Sequence, residues 1–174
     1  CPHSGQTLVN DNCPDRGLFD LTGRVAIVTG TSRGLGQSFA RALAKSGADL
    51  VLTSRNRASI APFEDEVKAL GRRAVSFDLD VRDQHSIEQM AAAAENAFGR
   101  LDILVNNAGC NIRKPALEVT WDDWNQILDT NLRGIFLASR YVLPSMISRG
   151  AGDIVNIASI AGKVGAKYIA AYTA

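Results

Sequence analysis

Short apolar runs alternate with amphipathic stretches along the chain from residue 21 onward. Five of these runs are rich in aliphatic residues and show little polar alternation, which is typical of strands buried on both faces. Between them, apolar residues recur at helical spacing, as in Leu35, Phe39 and Leu43. Strand and helix alternate five times, which predicts an α/β fold with a doubly wound parallel sheet. The predicted strands are residues 25–28, 48–53, 74–77, 101–109 and 153–159.

One long helix is predicted after the fourth strand. Thr120 and Asp123 have the spacing of a capping box, in which each side chain accepts a hydrogen bond from the other residue's backbone N–H. We expect the helix to run from there towards Arg149. We also expect a bend at Pro144, because proline has no backbone N–H to donate.

The first 20 residues differ from the rest of the chain. They are rich in Pro, Gly, Asn and Asp and show no periodicity, so we predict a flexible tail at 1–20 and a folded domain at 21–174. Cys1, His3 and Cys13 are potential metal ligands, but the tail interpretation is favoured and we expect no metal site. Three cysteines in the whole sequence are too few for a disulfide framework. This favours a reducing, cytoplasmic compartment.

The composition argues against two classes of partner. The net charge is +1, so bulk charge does not indicate nucleic acid or a membrane surface. No apolar run approaches the roughly 20 residues that a membrane-spanning helix needs. We therefore expect neither a nucleic-acid partner nor a membrane partner.

The segment TGTSRGLG (29–36) joins the first predicted strand to the first predicted helix. Glycines let a phosphate approach the backbone closely, and the start of a helix offers free N–H groups and the positive end of its dipole. The spacing G-x-x-x-G-x-G differs from the commoner G-x-G-x-x-G, and a closely packed turn also needs glycine. Its place between strand and helix predicts a Rossmann-like site for a dinucleotide pyrophosphate, so 21–174 is expected to be a dinucleotide-binding domain. The predicted cofactor-binding residues of this turn are Gly30, Ser32, Arg33, Gly34, Leu35 and Gly36.

The end of the second predicted strand bears on the choice of nicotinamide cofactor. An acidic residue there would hold the adenosine ribose 2′-OH of NAD. The sequence has Ser54 and Arg55 instead, and Arg33 in the glycine turn could reach the same region. Two guanidinium groups suit a 2′-phosphate, so NADP(H) is favoured over NAD(H). The alternative is that both arginines are solvated surface residues.

Further motifs follow the glycine turn in a fixed order. They are DV (80–81), NNAG (106–109), Asn131, Ser159 and, 13 residues later, Tyr172. Together with the glycine turn, these motifs resemble the short-chain dehydrogenase/reductase family, over about residues 20–174. The resemblance implies an oxidoreductase that moves a hydride between a nicotinamide cofactor and a secondary alcohol or ketone.

The resemblance also implies roles for two groups of cofactor-binding residues. Asp80 would meet the adenine amino group, with Val81 beside it. Asn107, Ala108 and Gly109 would line the floor under the adenosine ribose and brace the sheet.

Three catalytic residues are implied in the same way. Asn131 would support a water in a proton relay, Ser159 would hydrogen-bond the substrate oxygen, and Tyr172 would exchange a proton with it. A free phenol has a pKa of about 10, and a neighbouring cation lowers it. The family places a lysine four residues after the tyrosine, which here would be position 176, beyond the last residue of the sequence. We treat Lys163 and Lys167 as surface residues.

The substrate and the assembly are less closely defined. Residues 106–124 are similar to members acting on gluconate and related sugar acids, and members that reduce 3-oxoacyl thioesters also resemble much of the chain. Arg113 and Lys114 could face a substrate carboxylate or could be solvated loop charges. The family implies a homo-oligomer for the full-length protein. Because position 176 is absent, a non-catalytic nucleotide-binding or structural fragment is the alternative to an enzyme.

Overall fold

The five predicted apolar runs form one parallel sheet in the computed structural model, which describes residue 17 and residues 19–174. The strands lie in the order β3-β2-β1-β4-β5, and every neighbouring pair is parallel. The predicted doubly wound, Rossmann-like sheet is therefore confirmed. The strands are β1 Val25–Val28, β2 Asp49–Ser54, β3 Ala74–Asp78, β4 Ile103–Asn106 and β5 Asp153–Asn156.

Helices connect the strands at the positions that the periodicity predicts. The third helix begins after Asp83, whose side chain accepts a hydrogen bond from the backbone of His85, and ends at Gly99 in the left-handed conformation. Short 3-10 turns follow β2, β4 and β5, and another one contains Tyr172. The helices are α1 Leu35–Lys45, α2 Ala61–Ala69, α3 Gln84–Phe98, α4 Trp121–Leu128 and α5 Gly134–Arg149.

Two hydrophobic cores cover the two faces of the sheet, because successive strand residues point to opposite sides. Val25 and Ile27 of β1 lie in the core that α3 and α5 complete. Ala26 and Val28 lie in the core that α1 and α2 complete. Helices on both faces explain why the strands are apolar throughout rather than alternating.

The chain reverses its direction across the sheet between β1 and β4. After β1 it adds β2 and β3 on one side, and it then returns to add β4 and β5 on the other. In open sheets of this kind a crevice forms at the carboxyl ends of the strands on either side of the reversal. The glycine turn and the NNAG segment follow β1 and β4, so both lie at this crevice.

The predicted long helix is present, helical from Trp121 to Arg149, but it contains a π-helical turn that the sequence did not predict. Helices α4 and α5 are separated by a π-helical turn, Asp129–Arg133. The side chain of Asn131, inside this turn, forms two hydrogen bonds with the backbone of Cys110. A local widening of the helix that meets such a tertiary contact is not visible in hydrophobic periodicity. The capping box of Thr120 and Asp123 is present as predicted, whereas the bend at Pro144 stays a prediction.

Strands β4 and β5 are shorter than the apolar runs that predicted them. The run at 101–109 leaves the sheet after Asn106, because the N–H groups of Asn107 and Ala108 donate to the hydroxyl of Thr29. The run at 153–159 ends as a strand at Asn156. Side-chain acceptors at the carboxyl edge therefore replace the sheet ladder before the apolar pattern ends.

Most of the predicted tail at 1–20 lies outside the described residues, as do Cys1, His3 and Cys13. The division into a tail and a domain at 21–174 stays a prediction. Among the helices that the structure describes, none has the length and apolar character needed to cross a bilayer.

Candidate active site

Thr29 fastens the glycine turn to the loop after β4. Its buried hydroxyl oxygen accepts hydrogen bonds from the N–H groups of Asn107 and Ala108, both at 2.9 Å. In return, the side-chain amide of Asn107 donates to the carbonyl oxygens of Thr29 at 2.9 Å and Gly30 at 3.1 Å. Asn107 thus braces the glycine turn. Thr29 was not singled out from the sequence, because a threonine at a strand end has no distinctive pattern.

Two glycines of the turn are required by the local geometry. Gly34 has φ +62° and ψ −132°, a combination that a residue with a Cβ rarely adopts. Gly36 lies in the first turn of α1, where a Cβ would overlap the carbonyl oxygen of Gly30 and lie 2.7 Å from Nδ2 of Asn107. The turn is therefore tightly packed at Gly36, against Gly30 and Asn107, and open at Gly34, where nothing lies within 4 Å of an added Cβ.

The N-terminus of α1 is free to receive an anion. Its cap, Gly34, offers no side-chain oxygen, and the first turn contains no acidic residue. The first N–H groups of a helix have no partner within the helix and carry the positive end of its dipole. An 11-residue helix with an uncapped, glycine-lined start fits a diphosphate.

A cleft of about 510 Å³ extends from this turn along the carboxyl edge of the sheet. All of the residues predicted to bind the cofactor lie along its wall. Residues that the sequence did not indicate also line it, among them Thr53, Arg82, Gln126 and Thr130. The predicted residues that it brings together are Gly30, Ser32, Arg33, Gly34, Leu35, Gly36, Ser54, Arg55, Asp80, Val81, Asn107, Ala108 and Gly109.

Two guanidinium groups lie at one end of this cleft. Arg33 and Arg55 are both exposed, and neither has an ion pair or a side-chain hydrogen bond within the described part of the chain. Ser54 differs from them. Its hydroxyl donates to the carbonyl oxygen of Asn56 at 2.6 Å, so its hydrogen is used within the turn after β2. The arginines, not the serine, are free to bind an anion.

Asp80 lies in the cleft as a charged carboxylate. The guanidinium of Arg82 forms a two-pronged pair with it, with Nη2 2.6 Å from Oδ2 and Nε 3.0 Å from Oδ1. Hydrogen bonds from Arg82 lower the pKa of Asp80 against the opposing effect of burial, and the charge of Arg55 adds to the decrease. Arg55 and Asp80 line the same cleft.

A second cleft of about 690 Å³ continues from the first. The two share residues of the NNAG loop and the start of α1, so they form one continuous depression. The three predicted catalytic residues, Asn131, Ser159 and Tyr172, all line the second cleft. Residues from the loops after β1, β4 and β5 and from the π turn thus meet along a single surface.

The three residues differ in how their polar groups are engaged. Asn131 accepts from the N–H of Cys110 at 2.9 Å and donates to its carbonyl oxygen at 2.8 Å, so it holds the loop after β4. Ser159 accepts from the N–H of Ala161 at 3.2 Å and keeps its hydroxyl hydrogen available for another acceptor. Tyr172 is half-buried in a 3-10 turn that begins at Ala170.

The charged residues after NNAG do not behave alike. Lys114 pairs with Asp123, Nζ to Oδ2 at 2.6 Å, so its charge is balanced within the chain although its side chain stays partly exposed. Arg113 is exposed and does not line either cleft. Cys110 is half-buried and lines both clefts. Lys163 and Lys167 are exposed, as predicted.

Comparison with known proteins gives relatives that cover most of this chain. Gluconate 5-dehydrogenase of Gluconobacter oxydans is 41% identical over 90% of this chain and 61% of its own length. Ketoacyl reductase HetN of Nostoc sp. is 40% identical over 90% of this chain and 55% of its own length. The chain therefore spans less than two thirds of the length of these curated relatives.

Solved structures share the fold closely. A metagenomic short-chain oxidoreductase in complex with NADP has a TM-score of 0.84 and 39% identity, over 88% of this chain and 70% of its own. An NAD⁺-bound xylitol dehydrogenase has a TM-score of 0.84 and 33% identity, over 87% and 59%. Since these neighbours hold different cofactors, the likeness does not decide between NADP and NAD.

The family model described as short chain dehydrogenase matches residues 24–174, which include the glycine turn, the NNAG loop, Asn131, Ser159 and Tyr172. That match extends from β1 to the end of the sequence and agrees with the identities and the shared fold. The chain belongs to the short-chain dehydrogenase/reductase family of oxidoreductases.

Proposed function

We propose that the protein is an NADP(H)-dependent oxidoreductase that interconverts a secondary alcohol and a ketone. The observation that carries this proposal is the continuous depression from Arg55 and the glycine turn to Ser159 and Tyr172. Its length and lining suit a dinucleotide whose reactive end reaches the two hydroxyl groups. Titration of the folded chain with NADPH and NADH tests it, and no association with either at millimolar concentrations would refute it.

The residues of the first cleft would bind the cofactor in a fixed direction. The free N–H groups at the start of α1 would receive the pyrophosphate. Asp80, kept ionised by Arg82, would accept a hydrogen bond from the adenine amino group. The bound nicotinamide supplies the hydride chemistry, and the protein supplies position and charge.

Ser159 and Tyr172 would handle the proton of the substrate oxygen. Charge develops on this oxygen as the carbonyl is reduced, and hydrogen-bond donors placed beside it stabilise that charge. The hydroxyl of Ser159 still has its hydrogen to donate. Tyr172 would donate its phenolic proton during reduction and remove a proton during oxidation. Asn131, by holding Cys110, would keep the loop between the two clefts in place.

The preference for NADP(H) follows from the unpaired arginines. Arg33 and Arg55 are exposed at the cleft, and Ser54 stands where a carboxylate would recognise the ribose of NAD. Arg55→Ala should weaken NADPH binding roughly 10–100-fold, the range for losing a charge-assisted hydrogen bond, and change NADH binding little. Arg140→Ala, which removes an exposed arginine on α5 outside both clefts, is the control. Equal losses for the two cofactors would contradict the role of Arg55.

The proposed substrate is a sugar acid or a similar polar alcohol or ketone. The similarity to gluconate 5-dehydrogenase supports this class. Neither charged residue of the loop after β4 is assigned to a substrate carboxylate, because Arg113 lines neither cleft and Lys114 is paired with Asp123. Assays of the longest reading frame that contains this sequence, with sugar acids, neutral polyols and 3-oxoacyl thioesters, separate these classes. Turnover of the thioesters alone would favour the second type of relative.

A non-catalytic nucleotide-binding fragment is the alternative to an enzyme. It is favoured by one observation, that all the predicted cofactor residues lie within 174 residues that span 61% of the gluconate 5-dehydrogenase. Binding of NADPH to the 174-residue chain without turnover, together with turnover by a longer reading frame, would assign catalysis to the longer protein. Binding without turnover by either would favour the alternative.

The complete protein is proposed to be a cytoplasmic homo-oligomer. The π turn and α5 expose large apolar side chains at helical spacing, including Leu132, Phe136, Leu143 and Ile147. Such a face is typical of a surface that another subunit covers. Analytical ultracentrifugation of the longest reading frame tests the assembly, and a monomer at micromolar concentration would contradict it.

A further inference from the structure

The loop after β4 makes two different contacts through one residue, Lys114. Its side chain reaches Asp123 near the start of α4, with Nζ 2.6 Å from Oδ2. Its backbone N–H donates to the carbonyl oxygen of Tyr168 at 2.9 Å. Lys114 therefore connects the loop to α4 and, separately, to the segment that leads to Tyr172.

Asp123 is held from several directions. Its Oδ2 also accepts from the N–H of Thr120 at 3.0 Å, and its own N–H donates to the Thr120 hydroxyl. The Asp123 side chain is 15% exposed and that of Lys114 is 39% exposed. Helix α4 packs against the 3-10 turn Ala170–Tyr172. The capping box thus does more than begin a helix, because its carboxylate also fixes a loop from another part of the chain.

The backbone of Tyr168 is in an unusual conformation at this point. Its φ is +70°, and among the described residues it is the one non-glycine with a positive φ. A bulky residue adopts this conformation only when its surroundings hold it there. Its carbonyl oxygen is the group that accepts the hydrogen bond from Lys114, four residues before Tyr172.

We propose that Lys114, Asp123 and Tyr168 form a clasp that positions Tyr172 at the cleft. The clasp joins the loop after β4, the start of α4 and the turn of Tyr172, so Lys114 and Asp123 are positioning residues for the proposed proton transfer. This inference rests on the proposed role of Tyr172. It assigns to Lys114 a function that differs from both sequence alternatives, substrate contact and a solvated charge.

The Asp123 carboxylate of the clasp stays ionised at ordinary pH. Hydrogen bonds from Lys114 and Thr120 lower the pKa of Asp123 from its usual value to about 2. A carboxylate whose pKa is lower in the folded state contributes its full stability when the pH is above its pKa in the unfolded state, about 3.9. That stability is lost as the pH falls through its pKa in the folded state. Arg113, the nearest other cation in sequence, is exposed. Changes in Tyr172 between pH 5 and 9 are therefore not caused by protonation of Asp123.

Hydrogen exchange and the ring signal of Tyr172 test the proposal without cofactor or substrate. The N–H groups of Tyr172 and Thr173 donate to the carbonyl oxygen of Ile169, so they report on the turn directly. Lys114→Met and Asp123→Asn should accelerate their exchange about threefold to tenfold, as expected for a local opening that becomes easier. Both variants should also shift the ring resonance of Tyr172 in protein labelled with ¹³C-tyrosine, assigned with Tyr172→Phe.

Asp49→Asn is the matched control for Asp123→Asn. The carboxylate of Asp49 also accepts hydrogen bonds from a backbone N–H and from a cationic side chain, both of Arg73. Its side chain is 16% exposed, similar to that of Asp123, but it lies at the start of β2. This control should leave the exchange and the ring signal of Tyr172 unchanged. Lys114→Arg, which keeps a cation opposite Asp123, should give the wild-type exchange and ring signal, unlike Lys114→Met. If both clasp variants fold and keep the native exchange and ring signal of Tyr172, the clasp is refuted, whether or not the protein binds NADPH. If Asp49→Asn alters them equally, the effect is not specific and the proposal also fails.

Discussion

Gly36→Ala gives a strict test of the glycine turn as a cofactor cradle. The added methyl group would overlap the carbonyl oxygen of Gly30 and lie 2.7 Å from Nδ2 of Asn107. Restoring an ordinary separation of about 3.5 Å from the amide alone requires a shift of roughly 0.8 Å, and the closer overlap with the Gly30 oxygen requires a larger one. Neither neighbour can rotate away, because Asn107 is bonded to the backbone of Thr29 and Gly30. The start of α1 must therefore shift relative to the turn.

Two opposing effects set the cost to stability. Overpacking of this kind costs about 1–3 kcal/mol. Alanine is favoured over glycine inside a helix by about 1 kcal/mol, which offsets part of the cost. The net destabilisation should be about 0–2 kcal/mol, which lowers Tm by up to about 8 °C for a chain of this size. The variant should thus stay folded at 25 °C.

The effect on binding should be larger. A shift of roughly 0.8 Å lengthens hydrogen bonds of about 2.9 Å beyond the range in which they form. The loss of one such bond to a phosphate corresponds to roughly 10–100-fold weaker binding. NADPH and NADH should lose affinity to the same extent, because the pyrophosphate is common to both, in contrast to Arg55→Ala.

Isothermal titration calorimetry with both cofactors and thermal unfolding measured by circular dichroism check this prediction. Gly165→Ala is the control, since nothing lies within 4 Å of the added methyl and the residue lines neither cleft. It should leave Tm and both dissociation constants unchanged. A folded Gly36→Ala variant that binds both cofactors like the wild type would refute the assignment of the turn.

Two further predictions concern stability. Thr29→Val keeps the shape of the side chain but removes the acceptor for the N–H groups of Asn107 and Ala108, so the free energy of unfolding in urea should fall by about 2 kcal/mol; no change would mean that the two donors find other partners. Asp102 is fully buried, and although burial opposes its ionisation, hydrogen bonds from Arg100 and the backbone of Val25 lower its pKa. Asp102→Asn should destabilise the protein by about 3–5 kcal/mol at pH 7. The difference from the wild type should persist above about pH 4 and shrink as pH falls through the lowered pKa of Asp102. A difference in urea unfolding that is the same at pH 7 and at pH 2 would contradict this.

The fold could be predicted from the sequence because its signals are local and repeated. Buried strands such as Val25–Val28 are apolar throughout, and the glycines and caps that end the helices act within one turn. The π turn at Asp129–Arg133 was missed because nothing local requires it. Its Asn131 binds a backbone segment 21 residues earlier in the chain, and only the folded structure brings them together.

The family motifs indicated which residues would come together, while their roles stay predictions. The glycine turn, the NNAG loop, Ser159 and Tyr172 were placed along one depression, as their order implied. Thr29 and the pairing of Lys114 were missed for different reasons. The Thr29 hydroxyl accepts from backbone N–H groups, which leave no preference for a residue type at the other end. Lys114 pairs with the Asp123 side chain, and only the folded loop shows which carboxylate it reaches.

The loop at residues 107–114 contacts the glycine turn, the π turn and the segment before Tyr172. Its first residue, Asn107, closes the glycine turn, Cys110 is held by Asn131 of the π turn, and Lys114 holds Tyr168. Cofactor cradle, proposed proton relay and proposed catalytic tyrosine are therefore fastened to the same eight residues rather than to one another. A bound pyrophosphate that orders the glycine turn should consequently slow hydrogen exchange at Tyr172. The loop can couple the two because it forms side-chain-to-backbone hydrogen bonds at Asn107 and Cys110 and a backbone-to-backbone hydrogen bond at Lys114.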